Sequence, residues 1–345
     1  MKSTFNTLII VLATVILAGC KSHEVISISS YQEAPMSEFD FSTFESRTIE
    51  LQPAPRDTLG IISKVTIFQD RIYILNSTRQ QRLSVYSSGG QFISHIGATG
   101  QGTGEYTFIS DFTVDADGNV WIADGLADKL IQYDSSLQYV STSEFPFEID
   151  GMASLSSGGL LLGLSFLDRS CPEEGVVSTT PDEKPEKILP RAKFYDTEYE
   201  IAKSQFQNTG KGYFFNKAID DNAYLLDKTD GRVIGRYFFD FGAEAVPDER
   251  KEDLEKCMVD GTFGQYTMIS DFVVVGDRYI LGSLIRHTVP VNFIADRRKG
   301  TLYTQDMRST NERFLGYDGD ALVSVIMPSE KDARYRLRIT DIPLI

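Results

Sequence analysis

Histidine is almost absent from this chain. The three present, His23, His95 and His287, lie far apart in sequence, and none stands in a metal-ligand spacing with a cysteine or another histidine. Cysteine is also scarce, with Cys20, Cys171 and Cys257 alone. That excludes a disulfide-framework fold. Cys171 and Cys257 either bridge or stay free, because sequence spacing does not bring their Cα atoms into range. No Ser-His-Asp or Cys-His nucleophile set can be assembled, and Cys257 has no histidine near it in sequence. Positive charge is short: 34 Lys and Arg face 49 Asp and Glu, a net charge of −15. Such a field repels phosphate, so no nucleic acid is expected as a partner. No apolar run is long enough to span a bilayer as a helix. The best, Leu8 to Ala18, has 11 residues and is interrupted by Thr14, where about 20 are needed.

What that run does fit is a secretory signal. Lys2 supplies the positive start, and the apolar stretch ends at Leu17-Ala18-Gly19-Cys20. This string resembles the lipobox of bacterial lipoproteins. The resemblance implies acylation of the Cys20 sulfur and cleavage just before it, so that residues 1–19 are a signal peptide. Several acyl chains together hold a protein stably on a membrane. Lys21 is not the aspartate that retains such proteins at the inner membrane, so an outer-membrane location is expected, on either its periplasmic or its outer face. Residues 20–44 are Ser-rich with no sustained period and read as a lipid-anchored tether.

The body, 45–345, repeats. Gly102 to Asp124 reads as loop, strand, tight turn, strand, and its front half recurs downstream. Tyr106 matches Tyr266, and Ser110-Asp111-Phe112 matches Ser270-Asp271-Phe272, an offset of 160 residues. That is four units of 40, the period of a β-propeller. Six apolar, β-branched or aromatic stretches follow Asp, Asn or Gly turns and read as second strands of blades. They begin at Ile72, Val120, Leu160, Ala223, Tyr279 and Ala321. Two insertions break the period. One is Cys171 to Gly210, with a short helix expected over 195–206; the other holds a helix expected over 249–258, capped by Asp248. Residues 46–52 alternate like a strand, and the last repeat lacks one, so the N-terminal strand is expected to complete the final blade. Gly100, Gly102, Gly104, Asp115, Gly118, Asn119, Trp121, Asp124, Ile131 and Tyr133 together resemble the NHL repeat. The whole chain resembles the bacterial six-bladed β-propeller lipoproteins grouped with NHL and TolB-like propellers. The implied fold is all-β, six four-stranded antiparallel blades with short helical insertions.

The candidate chemistry is thin. The string Gly97 to Gly104 is glycine-rich, but a strand follows it rather than a helix, so it reads as a blade connection and not a phosphate cradle. Asp111 and Asp271, each at the start of an innermost strand, are the candidate ligand-binding residues at the channel mouth. Each Ser-Asp pair can equally serve the backbone where its strand begins. Trp121 reads as packing between blades. Two functions follow. The first is a lipid-anchored, non-catalytic binding or scaffold protein, monomeric in its body, for an envelope protein, a peptide or a glycan. It needs no cofactor. The second, which the resemblance to propeller lactonases and lyases implies, is a metal-dependent hydrolase or lyase with a cation such as calcium in the channel.

Overall fold

The turn at Asp115–Asn119 shows how this sequence makes a blade. One Asp115 carboxylate oxygen accepts the backbone N–H groups of Asp117 (3.0 Å) and Asn119 (2.9 Å). The other accepts Asn119 Nδ2 (3.0 Å) and the indole Nε1 of Trp121 (3.1 Å). Gly118 takes the left-handed conformation, φ 83°, that closes the hairpin. The carboxylate thus fixes the turn and orients the buried tryptophan that begins the packing on the next blade.

In the computed structural model, residues 22–344 are described, except 53–58, 77–80, 166–172, 181–183, 192–205, 218 and 330–333. The signal segment 1–19, Cys20, Cys171 and most of the helix expected over 195–206 fall outside the described residues. Six antiparallel sheets follow one another. Blade 1 is Ile62–Phe68, Arg71–Asn76, Arg82–Ser87 and Phe92–Ile96. Blade 2 is Ile109–Val114, Val120–Asp124, Lys129–Tyr133 and Tyr139–Glu144. Blade 3 is Ile149–Ser154, Leu160–Leu164, Glu174–Thr179 and Glu186–Pro190. Blade 4 is Phe206–Thr209, Gly212–Asn216, Asn222–Leu226 and Val233–Asp240. Blade 5 is Thr267–Val275, Tyr279–Arg286, Val289–Asp296 and Thr301–Asp306. Blade 6 is Glu312–Asp318, Ala321–Ile326 and Arg336–Asp341, completed by Ser46–Glu50. Apolar clusters fill the junctions between successive blades, including the one between blades 6 and 1. The ring is therefore closed.

The expected closure by the N-terminal strand is present. Glu50 to Ser46 pair antiparallel with Arg336 to Thr340, and Ile49 and Leu51 are buried against Leu337 and Ile339. Four expectations need correction. Residues 22–44 are not a tether. Ser22–Ser27 adds a parallel fifth strand to blade 4, and Gln32–Pro35 does the same for blade 5. Between and after them Ile28, Met36 and Phe39 are buried, Phe39 amid Phe41, Phe44, Tyr279 and Tyr303. Each added strand covers an outer sheet edge that would otherwise be open. Second, the stretch from Ala223 is the third strand of blade 4. The second, Gly212–Asn216, follows a tight turn at Gly210-Lys211. Third, the two matching Ser-Asp-Phe sites lie three blades apart, in blades 2 and 5, because a long blade 3 and the insertion over 241–266 together take up the extra length. Fourth, the helix of that insertion is Leu254–Val259, capped by Asp253, whose side chain accepts Lys256 N–H; Asp248 begins a separate 3-10 turn. Cys257 on this helix is free and fully buried.

Candidate functional site

The innermost strand of each blade has one edge paired in its sheet and the other facing the axis, so its N–H groups there need partners. Side chains supply them. Asp111 is fully buried. One of its carboxylate oxygens accepts Lys64 Nζ (2.7 Å) and Phe112 N–H (2.8 Å), and the other accepts Met152 N–H (2.8 Å). Lys64 also donates to the Phe112 carbonyl (2.8 Å). Three blades are joined through this one carboxylate. Ser154 Oγ donates to the Val114 carbonyl (3.1 Å), and Tyr213 Oη to the Ser154 carbonyl (2.6 Å). Asn216 Oδ1 accepts Val273 N–H (3.2 Å), and Asn292 Oδ1 accepts Phe314 N–H (3.1 Å). Asp318 accepts Ile67 N–H (2.7 Å) and so joins blade 6 to blade 1. Every blade junction carries such a polar link.

The axis itself is crossed. Gln207 of blade 4 accepts Tyr317 N–H of blade 6 (2.7 Å), and Asn208 Nδ2 donates to Asp318 (2.8 Å). Gly316 lets them approach: a Cβ there would stand 2.6 Å from Gln207 Oε1. The void left among Lys64, Thr113, Met152, Asn208 and Asp318 is about 60 Å³, room for a few waters. Burial pushes the Asp111 carboxyl above its ordinary pKa, and the Lys64 ammonium and the N–H donors pull against it. Asp318 is raised by burial in the same way.

Asp271 does not share the surroundings of Asp111. Both lie where the innermost strand is irregular, at a register shift. Asp271 is half-buried, and Ser283 of its own blade is one of its partners. The Ser283 hydroxyl accepts Asp271 N–H (3.0 Å) and lies 3.5 Å from its carboxylate. The repeat therefore marks a shared backbone irregularity, and the structure does not bring the two carboxylates into one constellation. No group of three or more His, Cys, Asp or Glu positioned to hold a metal occurs among the described residues. The Gly97–Gly104 string is a blade connection, in which Glu105 accepts Gly102 N–H (2.7 Å) and Gly104 receives the Tyr133 hydroxyl.

A larger space opens between blades 3 and 4, where sequence reasoning placed nothing. It is a cleft of about 370 Å³ with Leu189 and Pro190 on one wall and Phe215, Tyr224 and Phe238 on the other. Polar groups converge at its end. Lys251, from the 241–266 insertion, pairs with Asp221 (2.7 Å) and Asp248 (3.3 Å). Lys217 pairs with Asp150 (3.4 Å). Asp220 accepts Asn222 Nδ2 (2.6 Å) and N–H (3.1 Å). Burial raises the pKa of both Asp220 and Asp221, with Asn222 and Lys251 respectively opposing it. In the sequence Asp220-Asp221-Asn222 reads only as turn chemistry. The cleft arises from an insertion folding over a distant turn, which local pattern does not encode.

Six closed antiparallel blades, locked at the axis and opened between blades 3 and 4, define a six-bladed β-propeller. The model of the domain of unknown function DUF4934 matches residues 24–331, and the chain belongs to that family. The fold is similar to that of a protein from Bacteroides fragilis NCTC 9343 described as exported. The TM-score is 0.68 at 16% identity, over 92% of this chain and 99% of that one. It is also similar to a DUF4221 family member from Bacteroides vulgatus ATCC 8482, with TM-score 0.55 and 8% identity over 86% and 96%. No curated protein matches the chain.

Proposed function

We propose that this chain is a lipid-anchored protein of the outer membrane that binds a glycan or a peptide segment of an envelope partner, without catalysis, in the cleft between blades 3 and 4. The observation that carries the reading is the contrast in space. Small-molecule and segment sites usually need about 300–1,000 Å³. The cleft has about 370 Å³, and the void at the axis about 60 Å³. Aromatic faces beside carboxylates and ammonium groups suit a polar ligand with an apolar side, and a carboxyl with a raised pKa in a cleft is a mark of a working site. The lipobox at Leu17 to Cys20 and the exported description of the Bacteroides fragilis protein support the envelope location.

The test is capture from solubilised envelopes by the wild-type body and by Phe238→Ala and Asp220→Asn. Phe238 is exposed, so its truncation leaves the fold standing. A component retained by the wild type and lost with both variants supports the cleft. Nothing specific retained, or equal retention by all three, overturns it. Calcium is added in parallel. A rise in melting temperature on adding it, abolished by Asp111→Asn or Asp271→Asn, would return the site to the channel and favour a metal-dependent hydrolase or lyase.

A further inference from the structure

We infer that the outer face of blade 4 lies against the membrane, so that the propeller is held edge-on to the lipid headgroups. This rests on the reading of Cys20 as acylated. The first described strand begins at Ser22, which pairs with Gly235 on the outermost strand of blade 4. Cys20 precedes it by two residues. At no more than about 3.6 Å per residue, the acylated sulfur is tethered within roughly 7 Å of backbone from the fold. A headgroup layer is itself about 5–7 Å thick on each side of the hydrocarbon. Acyl chains seated in the hydrocarbon therefore leave no slack, and the rim of blade 4 must rest on the headgroups.

The surface at that point suits them. Arg232, just before the outermost strand, and Ile234 and Arg236 within it have exposed side chains. His23 and Val25 of the added strand are also exposed and pair with Arg236 and Phe238, which puts them on the same face. Val25 is 57% and Ile234 39% exposed. Cationic and apolar side chains side by side are the composition of an interfacial surface on anionic lipid. They stand out on a chain of net charge −15. Arg232 also pairs with Asp230, and Arg236 lies 6.0 Å from the Tyr224 ring, so Arg236 is the cation best placed to reach a phosphate. The added strand runs parallel to its neighbour, so its start, at Gly235, is the end nearest the bilayer. The cleft begins at Phe238, about 10 Å further along the strand.

The test uses the full chain, processed in a bacterial host and reconstituted in vesicles of phosphatidylethanolamine and phosphatidylglycerol. Mass spectrometry of the N-terminal peptide establishes whether Cys20 carries its acyl groups. The photoreactive residue benzoylphenylalanine replaces Val25 or Ile234, or as controls Ile93 in blade 1 or Tyr139 in blade 2, which are 47% and 41% exposed. On illumination, lipid adducts at 25 and 234 should exceed those at 93 and 139 by about tenfold, because only the former lie at the interface. Equal yields at all four positions of an acylated chain would overturn the orientation and leave the anchor intact. An unmodified Cys20 would overturn the anchor, and the orientation with it.

Discussion

Substituting Asp111 by asparagine keeps the shape of the side chain and removes one charge from a site that water does not reach. The carboxylate accepts three donors, Lys64 Nζ, Phe112 N–H and Met152 N–H. An amide has one acceptor oxygen, so its NH2 must face either Met152 N–H or the Lys64 and Phe112 pair, donor against donor. Lys64 loses its counter-charge and keeps the Phe112 carbonyl. Breaking a buried pair by removing one partner costs about 3–5 kcal/mol, against about 0–1 for an exposed pair. In a domain of this size that lowers the melting temperature by roughly 6–10 °C. Lys64→Met should cost a similar amount, leaving the carboxylate to its two N–H donors. With the ammonium gone, burial raises the Asp111 carboxyl further. The folded form then holds its proton to higher pH than the unfolded form, and this variant gains more from acidification than the wild type does. The double variant removes both charges of the pair and should lose less than the sum of the singles, by about 2–3 kcal/mol. Urea melts of the four proteins, with calcium and with chelator, are the assay. Single losses under about 1 kcal/mol, or losses that appear only when calcium is present, would refute the argument that Asp111 is a structural link between blades.

Deleting residues 22–51 removes both added strands and the strand that closes blade 6. Burial of Ile49 and Leu51 alone contributes about 3–6 kcal/mol. Set against a usual total of about 5–15 kcal/mol, the truncated chain should show no cooperative circular-dichroism melt at room temperature, and a wild-type melt would disprove the closure. Gly90 stands at φ 84°, and a Cβ there would fall 2.0 Å from the Glu50 carbonyl, while Gln52 N–H donates to the Gly90 carbonyl (2.9 Å). Gly90→Ala should therefore destabilise by about 2–5 kcal/mol, the sum of left-handed strain and overpacking, read as a lower urea midpoint. Stability should rise as pH is lowered from 7 to 5. Asp111, Asp220, Asp221 and Asp318 are all raised by burial, so the stability each contributes when protonated is lost as pH climbs through its folded value. The exposed carboxylates lowered by arginine or lysine partners, such as Asp277 and Asp306, titrate below their ordinary range and stay constant in this window. A melting temperature that falls between pH 7 and 5 would contradict the sign, and Asp220→Asn should flatten the slope.

The parts of the fold that were legible in sequence are those made by neighbouring residues. Asp115, Gly118 and Asn119 form a turn through contacts within five residues of one another, and blades 1 and 2 fall where alternation and turn chemistry put them. What sequence hid depends on distant partners. Ser22–Ser27 and Gln32–Pro35 have no hairpin of their own; each is a strand only because an outer edge elsewhere accepts it. Blade 4 was misframed because its first hairpin turns on Gly210-Lys211 alone, which looks like an interruption and not a turn between strands. Asp111 was visible as a repeated residue, but its role was not. Only the arrival of Lys64 from one blade and Met152 from another determines that its carboxylate is occupied. Asn216, Asn292 and Asp318 do the same work with no repeat to mark them.

That occupancy bears directly on function. A propeller that holds a ligand on its axis must leave polar side chains there uncommitted. Here Asp111 and Asp318 are bound to neighbouring blades, and Gln207 and the Asn208 amide nitrogen reach across from blade 4 to blade 6, while Asn208 Oδ1 is buried without a hydrogen-bond partner. Freeing any of them would open a blade junction, so a site on the axis and a closed ring compete for the same groups. The competition is relieved where the repeat is broken, and the breaks gather on blade 4. It carries the fifth strand that leads back to Cys20, it forms one wall of the cleft, and the insertion that follows it supplies Lys251 and Asp248 to that cleft. Sites where local regularity is given up are the expected places for function. On this reasoning Asp220→Asn and the lipid-facing labels at Val25 and Ile234 probe two ends of one functional edge, and substitutions at the axis report on folding.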